Sequence, residues 1–306
     1  MGNEIKDPGL GTGFKHKTKR MINADGSFNI ERKGAFIKWR DAYKYLLDKS
    51  WLNFFGVLFS AYVILNLCFT ILYWFSGFDN ITGIDAAKGS EFMQAYYFSV
   101  QTFTTVGYGV MSPEGLLTQL ISSIEAFVGF LSFSLATGLL YGRFSKPKAK
   151  ILFSDMALVT PYKGGIDSLQ VKVVNARDNV LLDLSAKLIL TIDTVDETGG
   201  VKKQYFQLPL EIDKLSLLPL SWTIVHPINE NSIFGKHSLE ELKERNLEIL
   251  VLIKSHDETY GQIVHARTSY KGEEIVNNAN FVKSALLSNE GNIKLDIDKI
   301  GEFVRK

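Results

Sequence analysis

The sequence predicts a membrane-spanning α-helical part followed by an all-β soluble part. Two long apolar runs, a shorter apolar stretch between them and a series of strand-like segments after them carry this prediction. With 306 residues, the chain is long enough to form both parts. Charged residues make up 22% of the chain and the formal net charge is only +1. These totals do not reveal the two parts, because they average a strongly apolar half with a polar half.

The first 49 residues divide into two segments. Residues 1–35 are polar, rich in Gly, Lys and Asn, and without periodic apolar residues, which predicts a flexible cytoplasmic segment. Residues 36–49 mix aromatic and aliphatic residues with charged ones, as expected of an amphipathic helix at a membrane surface. We expect this helix to lie flat on the membrane and to lead into the first span. A surface helix packed on the soluble part is the alternative.

Two apolar runs within residues 50–142 predict a transmembrane domain. Residues 51–75 carry no charge, and residues 116–141 contain a single ionisable group, Glu125. Each run is at least as long as the ~20 residues that cross a bilayer. Buried core helices are the alternative, but unbroken apolar runs of this length are rare in small soluble domains.

The distribution of basic residues predicts the orientation. Lys and Arg are frequent before the first span and in the linker at residues 143–150, whereas Lys88 is the only basic residue between the spans. The positive-inside rule therefore places both termini in the cytoplasm. We expect a multi-pass protein of the inner (plasma) membrane.

A short helix and a loop separate the two spans. Ser90 can cap a helix over residues 91–103, which is expected to enter the membrane without crossing it. The sequence TTVGYG follows at residues 104–109, and Ser112 and Pro113 then form a turn toward the second span. Irregular backbone inside a membrane is tolerated only where it lines a cavity or is buried in protein, so this loop is expected to line one.

The loop has the residue types of a potassium selectivity filter. A potassium ion sheds its water when rings of backbone carbonyl oxygens replace that water, and such a backbone needs positive φ angles, which Gly107 and Gly109 adopt at little cost. Thr105 adds a hydroxyl, and Tyr108 can wedge against the short helix. The predicted filter residues are Thr104, Thr105, Val106, Gly107, Tyr108 and Gly109, with K⁺ bound at Thr105, Val106, Gly107 and Tyr108. A glycine-rich turn is the alternative reading.

One filter sequence per chain has a consequence for assembly. A single chain supplies one wall of carbonyls, so a closed filter requires four chains around an axis. A homotetramer is therefore expected, with permeant K⁺ as its ligand and no other cofactor.

Residues 151–306 differ in character from the membrane part. Short segments that alternate apolar and polar residues are separated by Gly, Pro and Asn, which is typical of a β-sandwich. A short helix over residues 238–245 is expected to interrupt the strands. The second half is therefore predicted to be a cytoplasmic all-β domain.

Segments in both halves resemble the prokaryotic inward-rectifier potassium channels. SVQTFTTVGYG is similar to the pore helix and filter of that family, DAYKYLLDKSW to its interfacial slide helix, and LLYGRFSKPKAKILFS to its second-span exit and linker. ILFSDMALVTPYKG, LSWTIVHPINENSIFG and HARTSYKGEEI resemble its cytoplasmic domain. The resemblance covers residues 38–281 and implies an immunoglobulin-like sandwich that, with membrane lipids, regulates the pore.

The resemblance also implies roles for single residues. Phe133, Thr137 and Tyr141 match the lining of the inner cavity and its constriction, and Gly129 matches a flexible point of the inner helix. Four basic residues match a site for anionic lipid or phosphoinositide headgroups: Arg143, Lys146, Lys148 and Lys150. Juxtamembrane basic residues attract such lipids on electrostatic grounds as well. The alternative is that they provide the positive-inside signal alone. In the prokaryotic relatives phosphoinositide inhibits, and the resemblance favours inhibition here.

Four positions depart from the pattern or leave it open. Phe133 stands where strongly rectifying relatives have an acidic residue, so strong voltage-dependent block is not expected. Gln101 and Met111 stand where the eukaryotic relatives have an ion pair behind the filter. Glu125 either stays charged near the filter and concentrates cations, or is a protonated or hydrogen-bonded structural carboxyl.

Other functions have little support in the sequence. His226, His237, His256 and His265 have no metal-ligand spacing, and no nucleophile motif is present. We expect neither an enzyme nor a nucleic-acid partner. A membrane-anchored ligand sensor with a vestigial pore is the remaining alternative, and only ion flux distinguishes it from a channel.

Overall fold

The computed structural model describes residues 4–14, 19–31, 42–145, 150–195, 200–287 and 290–305. The chain divides into two compact units. One is Gly34–Lys146, and the other combines Met1–Lys33 with Pro147–Lys306.

The helices of the first unit are those that the hydropathy pattern predicts. In chain order, the α-helices of the protein are α1 (Ala42–Asp48), α2 (Trp51–Ser76), α3 (Glu91–Phe103), α4 (Leu116–Phe144), α5 (Ile233–Lys236) and α6 (Leu239–Glu244). α2 and α4 have 26 and 29 residues, which is about 39 and 44 Å at 1.5 Å per residue and exceeds the ~30 Å hydrocarbon core. Only 17% and 11% of their most apolar windows are buried, unlike the core helix of a soluble protein.

α3 lies between the two long helices and is too short to cross a bilayer. Its 13 residues span about 20 Å. Phe98 packs edge-on against Tyr73 of α2 with ring centroids 5.2 Å apart, in a cluster that also contains Phe69, Ile81 and Ala95. Ser90 is the N-cap residue by position, but its side chain makes no capping hydrogen bond. The helix is therefore held by packing between α2 and α4.

The strands follow in chain order. They are β1 (Glu4–Ile5), β2 (Gly13–Phe14), β3 (Ile81–Thr82), β4 (Ser112–Pro113), β5 (Ile151–Phe153), β6 (Ala157–Pro161), β7 (Asp167–Asn175), β8 (Leu181–Val195), β9 (Val201–Leu208), β10 (Lys214–Leu217), β11 (Ser221–Ile228), β12 (Glu248–Asp257), β13 (Gln262–Lys271), β14 (Ile275–Asn277), β15 (Ala279–Phe281), β16 (Ala285–Leu287), β17 (Ile293–Leu295) and β18 (Phe303–Arg305).

The second unit is a β-sandwich, as predicted. One sheet has the strand order β1-β9-β8-β12-β13, with β2 paired to β9 and β10 paired to β8. The other sheet has the order β11-β7-β6-β14, with β5 paired to β7. Alternate residues of both sheets meet in one buried core, for example Val171 of β7, Leu190 of β8 and Val251 of β12. The expected helix near residues 238–245 is α6, which begins with a capping box between Ser238 and Glu241.

The prediction of a flexible segment over residues 1–35 is wrong for its described residues. β1 and β2 both pair antiparallel with β9. Met21 and Ile22 are buried, and the buried carboxylate of Glu248 accepts hydrogen bonds from both of their backbone N–H groups. The strands are only two residues long, and the apolar residues that pack on the rest of the second unit, such as Ile5, Met21 and Ile22, are too widely spaced for hydrophobic periodicity to reveal.

Candidate functional site

The loop after α3 has an alternating backbone. Thr105, Gly107 and Gly109 have φ angles of 59°, 51° and 80°, whereas Val106 and Tyr108 between them are not in the left-handed region. Alternation of left-handed and ordinary residues turns successive carbonyl groups toward the same side, which an ordinary strand does not do. The loop can therefore present a row of carbonyl oxygens along one line.

Sequence reasoning missed the conformation of Thr105. A β-branched residue with positive φ is rare and strained, and such strain persists mainly at functional sites. Nothing in the sequence signals it, because glycine is the residue that announces a left-handed position. The strained threonine places a third left-handed residue at regular spacing in the filter sequence.

The end of α3 holds the loop. The carbonyl oxygen of Gln101 accepts hydrogen bonds from the backbone N–H groups of Val106 (3.0 Å) and Gly107 (3.4 Å). Thr104 Oγ1 donates to the carbonyl oxygen of Val100 at 2.7 Å. These hydrogen bonds attach the loop to the C-terminal turn of α3.

The outer side of the loop makes few contacts within its own chain. Val106 and Tyr108 are 52% and 75% exposed, so Tyr108 does not wedge against α3 of the same chain, contrary to expectation. A Cβ atom added at Gly107 or Gly109 would meet no atom within 4 Å. The apolar side chains of the loop are thus available for contact with other chains.

Glu125 of α4 connects three helices behind the loop. Its side chain is fully buried. Tyr73 of α2 donates its hydroxyl hydrogen to Glu125 Oε2 at 2.6 Å, and Ser99 of α3 lies in hydrogen-bond contact with Glu125 Oε1. Both contacting groups are neutral hydroxyls. They favour a hydrogen-bonded structural role for the Glu125 carboxyl over a charged carboxylate that concentrates cations.

Gly129 lies where α4 crosses the end of α3. A Cβ atom at this position would overlap the carbonyl oxygen of Phe103 and lie 2.9 Å from its carbonyl carbon. Close approach of two backbones accounts for a glycine here. α4 is continuous from Leu116 to Phe144, so the flexible point expected at Gly129 stays a prediction.

Phe133, Thr137 and Tyr141 follow one another at intervals of four residues along α4 and therefore share one face. All three are exposed in the single chain. Thr137 Oγ1 donates to the carbonyl oxygen of Phe133 at 2.9 Å. This face is free to line a cavity between chains.

Arg143 is engaged within its own unit. Its guanidinium donates to the carbonyl oxygens of Leu46 (2.9 Å) and Lys49, at the end of α1, and lies over the ring of Trp51 at 4.3 Å. The Arg143 guanidinium, which the sequence predicts to contact a lipid headgroup, thus joins α1 to α4. Of the other three predicted lipid residues, Lys150 is exposed, and Lys146 and Lys148 lie outside the described residues.

We expect Arg143→Lys to loosen α1 although it keeps the positive charge. A lysine ammonium group cannot donate to both carbonyl oxygens in the planar geometry of a guanidinium. The loss of a hydrogen bond from a charged group destabilises the contact between α1 and α4 by about 2 kcal/mol. Hydrogen exchange of the α1 amides in the reconstituted protein should become about thirtyfold faster. Lys150→Gln is the control and should leave exchange unchanged. If the α1 amides of Arg143→Lys exchange at the wild-type rate while Lys150→Gln alters exchange, Arg143 does not hold α1 against α4.

Comparison with known proteins agrees with this geometry. Residues 54–146 match the family model described as "Ion channel", and residues 151–305 match the "Inward rectifier potassium channel C-terminal domain". The chain is 32% identical to the inward rectifier potassium channel Kirbac3.1 of Paramagnetospirillum magnetotacticum, over 94% of this chain and 96% of that protein.

Eukaryotic relatives match over most of the chain as well. The ATP-sensitive inward rectifier potassium channel 15 of Homo sapiens is 26% identical, over 97% of this chain and 84% of that protein. The G protein-activated inward rectifier potassium channel 2 of Pongo abelii is 27% identical, over 86% and 67%. Both halves of the chain, the pore loop and the sandwich, therefore match one family. The chain belongs to the inward rectifier potassium channel family.

Proposed function

We propose that four copies of this chain form a membrane channel through which K⁺ passes down its gradient. The observation that carries the proposal is the alternation of left-handed residues at Thr105, Gly107 and Gly109. Carbonyl oxygens that point to one axis can replace the hydration shell of K⁺. K⁺ would bind at Thr105, Val106, Gly107 and Tyr108, and the filter would extend from Thr104 to Gly109.

Three features of the chain support a homotetramer. The chain has a single filter loop, which supplies one wall of a pore. Val106, Tyr108 and Val110 of that loop are exposed apolar side chains. The two spanning helices also leave most of their apolar surface uncovered in the single chain, which makes it available to other chains as well as to lipid.

Gating would occur at the inner end of α4. Phe133, Thr137 and Tyr141 would line the cavity and its constriction, where apolar side chains can stop ions by excluding water. Gly129 would act as a hinge and the sandwich as the regulatory domain. Anionic lipid headgroups, including phosphoinositides, would bind near Arg143, Lys146, Lys148 and Lys150, at the cytoplasmic face of the inner (plasma) membrane.

Tyr141→Ala is expected to raise the open probability of the channel. Removal of four aromatic side chains from the constriction widens the point where water is excluded. Single-channel recording in lipid bilayers measures the effect, and Leu135→Ala, which removes an exposed side chain elsewhere on α4, is the control. An unchanged open probability in Tyr141→Ala would move the constriction to another residue.

Rubidium uptake tests the proposed function. Liposomes that contain the purified protein should accumulate Rb⁺ against trapped K⁺, barium should block the uptake, and sodium should not replace rubidium. Absence of uptake in every lipid composition would favour the membrane-anchored ligand sensor with a vestigial pore.

A further inference from the structure

A buried polar cluster behind the pore loop has more hydrogen-bond acceptors than donor hydrogens. We use the name Glu125 cluster for Glu125 with Tyr73, Ser99 and Asn66. Tyr73 donates to Glu125 Oε2 at 2.6 Å, and Ser99 Oγ contacts Glu125 Oε1. Ser99 Oγ also lies 3.1 Å from two oxygens of Asn66, its carbonyl O and its side-chain Oδ1. All four residues are buried.

The orientation of the Asn66 amide follows from its other contact. Asn66 Nδ2 donates to the carbonyl oxygen of Tyr62 at 2.8 Å, and a carbonyl oxygen can only accept. The amide oxygen of Asn66 must therefore be the atom that faces Ser99. Asn66 O already accepts a hydrogen bond from Thr70 Oγ1 at 2.7 Å.

Ser99 thus has one hydroxyl hydrogen and three acceptors around it. If Glu125 is a carboxylate, Ser99 must donate to it, and Asn66 Oδ1 is left without a donor among the described residues. If Glu125 carries a proton on Oε1, that proton is donated to Ser99 Oγ, and Ser99 donates to Asn66. Every group of the cluster then has a partner, which the ionised form does not achieve.

No cation in the described part of the chain compensates a negative charge at Glu125. The titratable groups on α2 and α3 are Tyr62, Cys68, Tyr73, Glu91, Tyr96 and Tyr97, and only Tyr73 is hydrogen-bonded to the carboxyl. Arg143, the cation on α4, is 18 residues away, or about 27 Å along the helix. Glu91 is about 12 Å from Ser99 along α3.

We propose that Glu125 is a proton-binding site of the pore, which holds a proton under working conditions and releases it only at alkaline pH, with loss of conduction. Release leaves an uncompensated carboxylate between three helices, turns the Ser99 hydroxyl hydrogen toward Glu125 and removes the hydrogen bond from Ser99 to Asn66. Ser99 is two residues before Gln101, whose carbonyl oxygen holds Val106 and Gly107 of the filter. The proposal rests on the proposed channel function for its effect on flux, but not for the proton itself.

Glu125→Gln is the decisive variant, because a glutamine amide can donate to Ser99 and accept from Tyr73 without titrating. In liposomes with the full chain, wild-type Rb⁺ uptake should fall about tenfold between about pH 7 and about pH 10, where a buried carboxyl loses its proton. Glu125→Gln should conduct at neutral pH and show no such fall. Gln119→Glu, an exposed substitution on the same helix, is the control and should behave as the wild type.

Two outcomes would overturn the proposal. One is a Glu125→Gln tetramer that does not conduct at neutral pH, because the charge would then be required. The other is the same alkaline loss of uptake in Glu125→Gln as in the wild type.

Infrared spectroscopy of the reconstituted protein supplies a measurement independent of flux. The wild type should show a protonated-carboxyl C=O stretch at neutral pH that disappears at alkaline pH, and Glu125→Asp should shift it. Absence of this band would refute the proposal even if Glu125→Gln fails to assemble. Presence of the band in a protein without Rb⁺ uptake at any pH would leave the proton site standing and refute the channel function instead.

Discussion

Gly107→Ala is expected to abolish potassium-selective conduction while the protein still folds. Gly107 has a φ of 51°, and a side chain in the left-handed region costs about 1–2 kcal/mol per residue. The cost recurs in each of four chains around one filter. Because a Cβ atom at Gly107 would meet no atom within 4 Å of its own chain, the defect would come from the backbone conformation. We expect Rb⁺ uptake to fall at least about a hundredfold.

Gly56→Ala is the matched control for this substitution. Gly56 lies within α2, has no positive φ, and also has open space around its Cα. It should conduct as the wild type, and both variants should retain the circular dichroism of the sandwich. Selective uptake by Gly107→Ala at the wild-type rate would mean that the left-handed backbone at this position is not required.

Gly129→Ala is expected to prevent assembly of a stable pore. The added methyl group would overlap the carbonyl oxygen of Phe103, so α4 and the end of α3 must separate. Overpacking of this kind costs about 1–3 kcal/mol in each chain. The measurement is the thermal stability of the tetramer in detergent, together with Rb⁺ uptake.

Gly138→Ala provides the matched control on the same helix. No atom lies within 4 Å of a Cβ at Gly138, so alanine there should be neutral or stabilise the helix by about 0.5–1 kcal/mol. If Gly129 served only as the proposed hinge, Gly129→Ala would leave the tetramer unchanged and alter its open probability. That result would favour the flexible point over close packing.

The sequence was sufficient to predict the family and the fold class. Hydropathy over residues 51–75 and 116–141 identified α2 and α4, because apolar runs of that length are rare outside membrane-spanning helices. Glycine at 107 and 109 identified the loop, because glycine is the residue that adopts positive φ without strain. Apolar runs and glycines can be recognised in the sequence because they do not depend on residues far away in the chain.

Other features depend on contacts that the sequence does not record. The partners of Glu125 are 52 and 26 residues away, so the sequence alone left the choice between a charged and a structural carboxyl open. Arg143 also contacts carbonyl oxygens that are 97 and 94 residues away, which its juxtamembrane position in the sequence does not indicate. The N-terminal strands were missed because they join an existing sheet edge through main-chain hydrogen bonds.

Selectivity between K⁺ and Na⁺ tests the central claim most directly. The measurement is the reversal potential of the reconstituted chain in a planar bilayer with potassium on one side and sodium on the other. The carbonyl geometry of Thr105, Gly107 and Gly109 predicts a reversal potential that follows the potassium gradient and does not change with the sodium concentration. A reversal potential near zero with equal concentrations of the two ions, or no current in any lipid, would contradict a potassium channel.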